Sequence, residues 1–168
     1  MDWTAVGAIS ELLSAVAVGA TLVFLVIELR RNTRAMKSTT FQAINDGMSR
    51  VTEIFATDPE LPRIMLDGQA GLEQLSPQDR LRFSFAHLML MRRLQAVLAQ
   101  EQFGMLGADF VAAYEHSVVS TIAGAPGPQA WWREAKHAFP AGFVDRVDAV
   151  IGSGSLTPPR HVGLAKAD

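Results

Sequence analysis

"VGAISELLSAVAVGATLVFLVIELRR", residues 6–31, decides how the rest of the chain is read. From Ala5 to Ile27 the only charged residue is Glu11. As a helix that stretch is roughly 34 Å long, enough to cross a hydrocarbon core of about 30 Å. A core helix of a soluble protein is the competing reading, but such a helix rarely stays apolar around its whole circumference over this length. A transmembrane helix is therefore expected over residues 1–29, outer tip included. A cleaved leader is not expected, because Met1-Asp2-Trp3 carries an acid and no base before the apolar run. The basic cluster, Arg30, Arg31, Arg34 and Lys37, comes afterwards. By the positive-inside tendency it places the C-terminal side in the cytoplasm and the N-terminus outside, with Trp3 as an aromatic anchor at the outer interface.

Side chains are unevenly distributed around this helix. At 100° per residue from Glu11, the residues Thr4, Gly7, Ala8, Ser14, Ala15, Val18, Gly19 and Thr21 fall within roughly 80° of it. Val6, Ile9, Leu12, Leu13, Val16, Val23, Phe24 and Ile27 take the opposite side. Small residues let helix backbones approach closely, and Ala15 to Gly19 has the small-xxx-small spacing of associating membrane helices. Gly7, Ala8, Ala15, Val18 and Gly19 are thus the expected helix interface. With no second apolar segment of spanning length, a second copy of the chain is the economical partner. Glu11 lies on that contact side, roughly 7–8 Å outward of the bilayer midplane. An acid there has two readings. Protonated, it locks the interface through a hydrogen bond to Ser14 or Ser10; ionised and hydrated in a symmetric ring, it lines a cation or proton pathway.

Composition sets the outer bounds. The chain has 168 residues, a formal charge of −2, 49% hydrophobic residues and 19% charged ones, which fits one helical domain plus an apolar segment and gives no basic surface for nucleic acid. It has no cysteine, so disulfides, thiolate nucleophiles and cysteine-ligated metals are excluded.

Beyond the apolar segment everything reads as helix, and no stretch alternates with period two for long enough to be a strand. Residues 30–57 form a basic juxtamembrane and amphipathic helix: Arg30 to Lys37 attract anionic head groups, by about 1 kcal/mol each, and Phe41, Ile44, Met48, Val51 and Phe55 mark an apolar face. Asp58-Pro59 caps and starts the next helix, which Gly68 and Gly71 close. Ser76-Pro77-Gln78-Asp79 starts a long helix to about Phe103, with Leu81, Phe85, Leu88 and Leu94 to Leu98 expected inside. Helices at 109–122, 130–138 and 143–151 complete a cytoplasmic bundle of about five helices over residues 58–151. From Gly152 to Asp168 the Gly, Ser and Pro content predicts a disordered tail.

Catalytic chemistry is hard to find. No Gly-rich phosphate loop, HExxH or nucleophile elbow occurs, so neither an enzyme nor a cofactor is expected. Glu134 and His137 have the spacing of two ligands on one helix face, but a di-metal bundle needs a second such pair and Arg133 and Lys136 would repel a cation. His87, between Phe85 and Leu88, reads as a core histidine. Arg92-Arg93 sits in the middle of the long helix, where one guanidinium is expected to pair with Glu115 or Glu53. Trp131 and Trp132 either insert into the core or line a binding groove.

The opening "DWTAVGAISELLSAVAVGATLVFLVIELRRNTRAMK", the "DPELPRI" turn, the "LSPQDRLRF" helix start and "PGPQAWW", in that order, resemble a group of small bacterial membrane proteins of unassigned function. Those proteins have one N-terminal transmembrane helix and a C-terminal helical domain with a PGxxxWW-type element. The resemblance extends to about Ile151 and implies this topology and a bacterial inner (plasma) membrane location. It implies no activity, and no site residue is carried over from it. The expected protein is a single-pass membrane protein that self-associates through its apolar helix and presents a helical domain to bind or scaffold a cytoplasmic protein. The alternative is a homo-oligomeric cation or proton channel.

Overall fold

The computed structural model describes the backbone of residues 3–154 and Leu156, with side chains except at positions 3, 5, 6, 8–10 and 12. The fold is all-α: α1 (Trp3–Thr57), α2 (Glu60–Ala70), α3 (Pro77–Gln102), α4 (Ala108–Ala123), α5 (Pro126–Ala135) and α6 (Ala141–Gly152), with single 3₁₀ turns at Leu72–Gln74 and Lys136–Ala138. Among the described residues there is no strand. Apart from Gly152–Gly154 and Leu156, the tail expected to be disordered lies outside the described residues.

α1 runs unbroken from the apolar segment through the basic cluster to Thr57, because no proline interrupts it. Several of its hydroxyl side chains are satisfied internally. Thr21, Thr33, Thr39, Ser49, Thr52 and Thr57 each donate to the carbonyl four residues back, Thr21 to Ala17 O at 2.8 Å. In an apolar stretch this removes the penalty of an unpaired hydroxyl. The chain divides into two units at Gln42–Ala43, inside α1. The last four turns of α1 belong to the bundle because Ile44 packs on its core.

Asp58 ends α1 and starts α2. Its Oδ1 accepts from the N–H groups of Glu60 (2.9 Å) and Leu61 (3.1 Å), with Pro59 immediately before the helix, and its other oxygen meets Arg82. Desolvation acts against the charge, but those three donors outweigh it and hold the Asp58 carboxyl below the usual carboxylate range. Ser76 accepts from the Asp79 N–H at 3.1 Å, with Pro77 opening α3, as its sequence predicts. Gly104 closes α3 with φ +66°, donating to Glu101 O at 2.8 Å while Met105 reaches Gln100 O at 3.0 Å. That left-handed conformation is one that glycine adopts without strain.

The core is built on Ile64 (α2), Phe83, Met91 and Leu94 (α3), Val111, Val119 and Ile122 (α4), the tryptophans of α5, and Val147 (α6). Two expectations need correction. The buried stripe of α3 runs through Phe83, His87, Met91, Leu94 and Leu98, whereas Leu81 and Phe85 are 56% and 59% exposed. Apolar residues occur on both sides of this helix, so periodicity alone did not fix which side faces inward. Gly68 does not end α2 either; the helix continues to Ala70 and Gly68 is buried.

The reason is close packing. A Cβ on Gly68 would overlap the Phe83 ring, and one on Gly127 would overlap the carbonyl oxygen of Gly68. α2 and α5 therefore meet backbone to backbone. This is why α5 begins at Pro126, four residues before the expected start: Pro126-Gly127-Pro128 is its packed first turn, with Gly127 and Pro128 buried. Because the obstacle at Gly127 is backbone, Gly127→Ala is expected to destabilise the bundle by about 1–3 kcal/mol. Gly142→Ala, with nothing within 4 Å of the added carbon, should cost far less. Thermal unfolding followed by tryptophan fluorescence compares the two variants.

Candidate functional site

Three places in the molecule hold the residues for which the sequence suggested a role or the structure shows a groove. The first is the apolar part of α1. Leu13, Val16, Val18, Leu22, Val23, Phe24, Leu25, Val26, Ile27 and Leu29 are all exposed, from 46% at Ile27 to 67% at Leu29. Ser14, Ala15 and Glu11 are exposed as well. At Gly7 and Gly19 an added Cβ would meet nothing within 4 Å, so the small-residue side has room for another helix. Ala8 lies in the helix, but its side chain is outside the described residues, as is that of Trp3. Arg30, Arg31, Arg34 and Lys37 are exposed, and Arg31 lies 4.0 Å from Glu28 one turn back.

The second place is the aromatic core around α5. Trp131 and Trp132 are 4% and 3% exposed, so they form no open groove. Each indole N–H is used inside the bundle: Trp131 donates to Ser84 Oγ at 2.9 Å and Trp132 to Asp148 Oδ1 at 2.7 Å. Desolvation would raise Asp148, but Lys136 (2.8 Å) and the Trp132 N–H outweigh it and keep that carboxyl below its usual range. Phe139 and Phe143 complete the cluster around Trp132. His87 is 1% exposed, between Phe83 (ring centroids 4.1 Å) and Trp131 (5.2 Å). Its Nδ1 lies 2.9 Å from the Phe83 carbonyl, which requires Nδ1–H as donor in the neutral ring. Burial pushes its pKa down to about 4, against the smaller opposing effect of that hydrogen bond.

The third place is a groove of about 400 Å³ between the end of α1, α3 and α4, lined by Met48, Val51, Leu90, Arg93, Phe110 and Tyr114 among others. Here the expected ion pair is overturned. Glu115 is held by Arg146, at 2.7 and 2.9 Å, and the same guanidinium reaches Glu101 at 2.9 Å. Those two carboxylates raise the Arg146 pKa above its ordinary value. Arg92 instead reaches Gln95 and the Ala138 carbonyl, and lies 4.7 Å from the centre of the Phe139 ring. Among the described residues neither arginine pairs with Glu115 or Glu53, and Arg93 Nε is buried with no hydrogen-bond partner. The Arg93 guanidinium lies against Gly47 of α1, where a Cβ would strike it. Burial raises the Tyr114 pKa, with Arg93 partly opposing it.

Sequence reasoning missed the groove. Its one signal was Gly47, a glycine in a helix that does not stop there. Arg146 was missed because its partners lie 31 and 45 residues away. Glu134 of the Glu-x-x-His pair is bound by Arg80 at 3.0 Å, and the described residues contain no group of three or more His, Cys, Asp or Glu able to hold a metal. No family model, curated protein or solved structure matches the chain.

His87 makes the bundle sensitive to mild acid. Its folded-state pKa lies below the unfolded value of 6.5, so the unfolded chain takes up the proton first. Stability is unaffected above about pH 6.5 and falls as pH drops from there to about 4, by up to about 3 kcal/mol. Asp58 and Asp148 contribute loss only at lower pH, because their folded values lie below 3.8. Urea unfolding of the wild type and of His87→Gln at pH 7 and pH 5 should show a steeper acid loss in the wild type.

Proposed function

We propose that this is a single-pass membrane protein of the bacterial inner membrane. On this reading it has its N-terminus outside, associates with itself through the small-residue side of α1 and presents the α2–α6 bundle to the cytoplasm as a binding or scaffold domain. The observation that carries the proposal is the uncovered apolar surface from Leu13 to Leu29 on a helix long and apolar enough to cross a membrane. Burying a Leu, Val, Ile or Phe side chain is worth about 1.5–3 kcal/mol, and nothing in the described chain supplies that burial here. Lipid would supply it on one side and a second α1 on the other. The basic residues that follow support the orientation, and the resemblance noted in the sequence agrees with the same topology.

A second reading keeps the topology and gives Glu11 a transport role: several copies form a ring whose carboxylates line a cation or proton pathway. The position of Glu11 beside Ser14 and Ala15, on the small-residue side where neighbouring helices would meet, motivates it. Tight helix dimers or trimers leave no room for a pore, whereas a wider ring does. Conductance of reconstituted protein distinguishes the roles, since Glu11→Gln should reduce currents only if the carboxylate lines the path.

The absence of cysteine makes topology directly measurable. Thr4→Cys should react with a membrane-impermeant maleimide in intact cells, and Gln78→Cys only after lysis; the opposite pattern would reverse the orientation. After alkaline carbonate washing the protein should stay with the membranes. Gly19→Leu should reduce the cross-linked oligomer severalfold, and an unchanged oligomer would reject the proposed interface.

A further inference from the structure

We infer that the groove between the end of α1, α3 and α4 is a binding site for a single-chain amphiphile with one carboxylate, of the fatty-acid type. Two independent features of the groove specify the two ends of such a molecule. The wall is mostly apolar, with Met48 and Val51 from α1, Leu90 from α3, and Phe110 and Val118 from α4. Its volume of about 400 Å³ lies within the range of small-ligand sites. An alkyl chain in it is removed from water without needing hydrogen bonds.

The other end is set by Arg93, the one charged residue among those lining the groove. Its Nε is buried against the protein and has no partner there, so an incoming group would meet the guanidinium at its terminal N–H groups. The sequence uses a glycine to place it: Gly47, about three turns before the end of α1, lets the guanidinium lie against the helix backbone. The acids that could have neutralised it are not in the lining, and Glu115 is committed to Arg146. A planar carboxylate matches the guanidinium fork. Tyr114, which also lines the groove, adds a phenol as a further donor. With one cation the site balances one negative charge, which favours a carboxylate over a doubly charged phosphate head group. Ser117, Thr52 and Thr121 add hydroxyls to the wall but no opposing charge.

The test uses the full chain in lipid nanodiscs and palmitate carrying a mid-chain diazirine. Irradiation followed by peptide mass spectrometry should place the label in residues 43–57 and 108–123. Arg93→Met should lower that labelling about tenfold or more, the factor that a hydrogen bond to a charged group supplies, and the corresponding diazirine alcohol should label as weakly. Because Arg93→Met removes a partly buried side chain, a second variant acts from the opposite wall. Ala113 is exposed and lines the groove, so Ala113→Phe should block labelling without disturbing the core. Equal labelling by acid and alcohol, label confined to residues 13–29, or unchanged labelling in Ala113→Phe would each overturn the inference. Stronger groove labelling by a diazirine phosphatidic acid than by the palmitate probe would overturn the monocarboxylate assignment.

Discussion

The apolar surface of α1 is the constraint on which the rest of the molecule depends. From Leu13 to Leu29 large aliphatic and aromatic side chains are exposed on every side of one helix, and the described chain folds nothing over them. Such a surface is stable only where something other than water covers it. Whatever covers it must accept a helix whose N-terminal part, up to about Thr21, is bulky on one side and small on the other, with the Glu11 carboxylate on the small side. This requirement underlies the proposed membrane anchorage and self-association, and it makes Glu11 a residue whose role is set by the geometry of neighbouring copies.

The bundle meets the opposite constraint, since it must supply its own core from short helices. It does so by bringing α2 and α5 into backbone contact at Gly68 and Gly127, which turns Trp131 and Trp132 inward against Phe139 and Phe143. Polar groups that enter this interior arrive with partners: the indoles with Ser84 and Asp148, Glu115 with Arg146, and His87 with a backbone carbonyl. Arg93 Nε departs from that pattern among the described residues; the groove beside it is read as a ligand site because Arg93 is the one charged residue among those lining an otherwise mostly apolar wall.

Much of this could be read from local signals. The unbroken α1, the caps at Asp58 and Ser76, and the glycine stop at Gly104 follow from residue chemistry acting over a few positions, and the structure has each of them. The amphipathic end of α1 was also legible, through Ile44 and Val51 at helical spacing. Less legible were the side of α3 that faces inward, the packing role of Gly68, and the choice of Glu115 by Arg146 over Arg93. Each depends on contacts between residues far apart in sequence, where several partners of the right type were available and periodicity ranked them equally.

The sequence by itself determined an all-helical chain with an apolar N-terminal segment, an uneven distribution of small and large residues around that segment, and basic residues following it. These are properties of short-range order, because helix propensity, capping and the 3.6-residue repeat are set within a few turns. Only the tertiary structure decided that the tryptophans are core and not groove, and that Arg93 lines an apolar groove with an unpaired nitrogen. Burial and pairing belong to the packing of α1, α3, α4, α5 and α6 together, and close packing admits only one of the arrangements that the sequence pattern allowed.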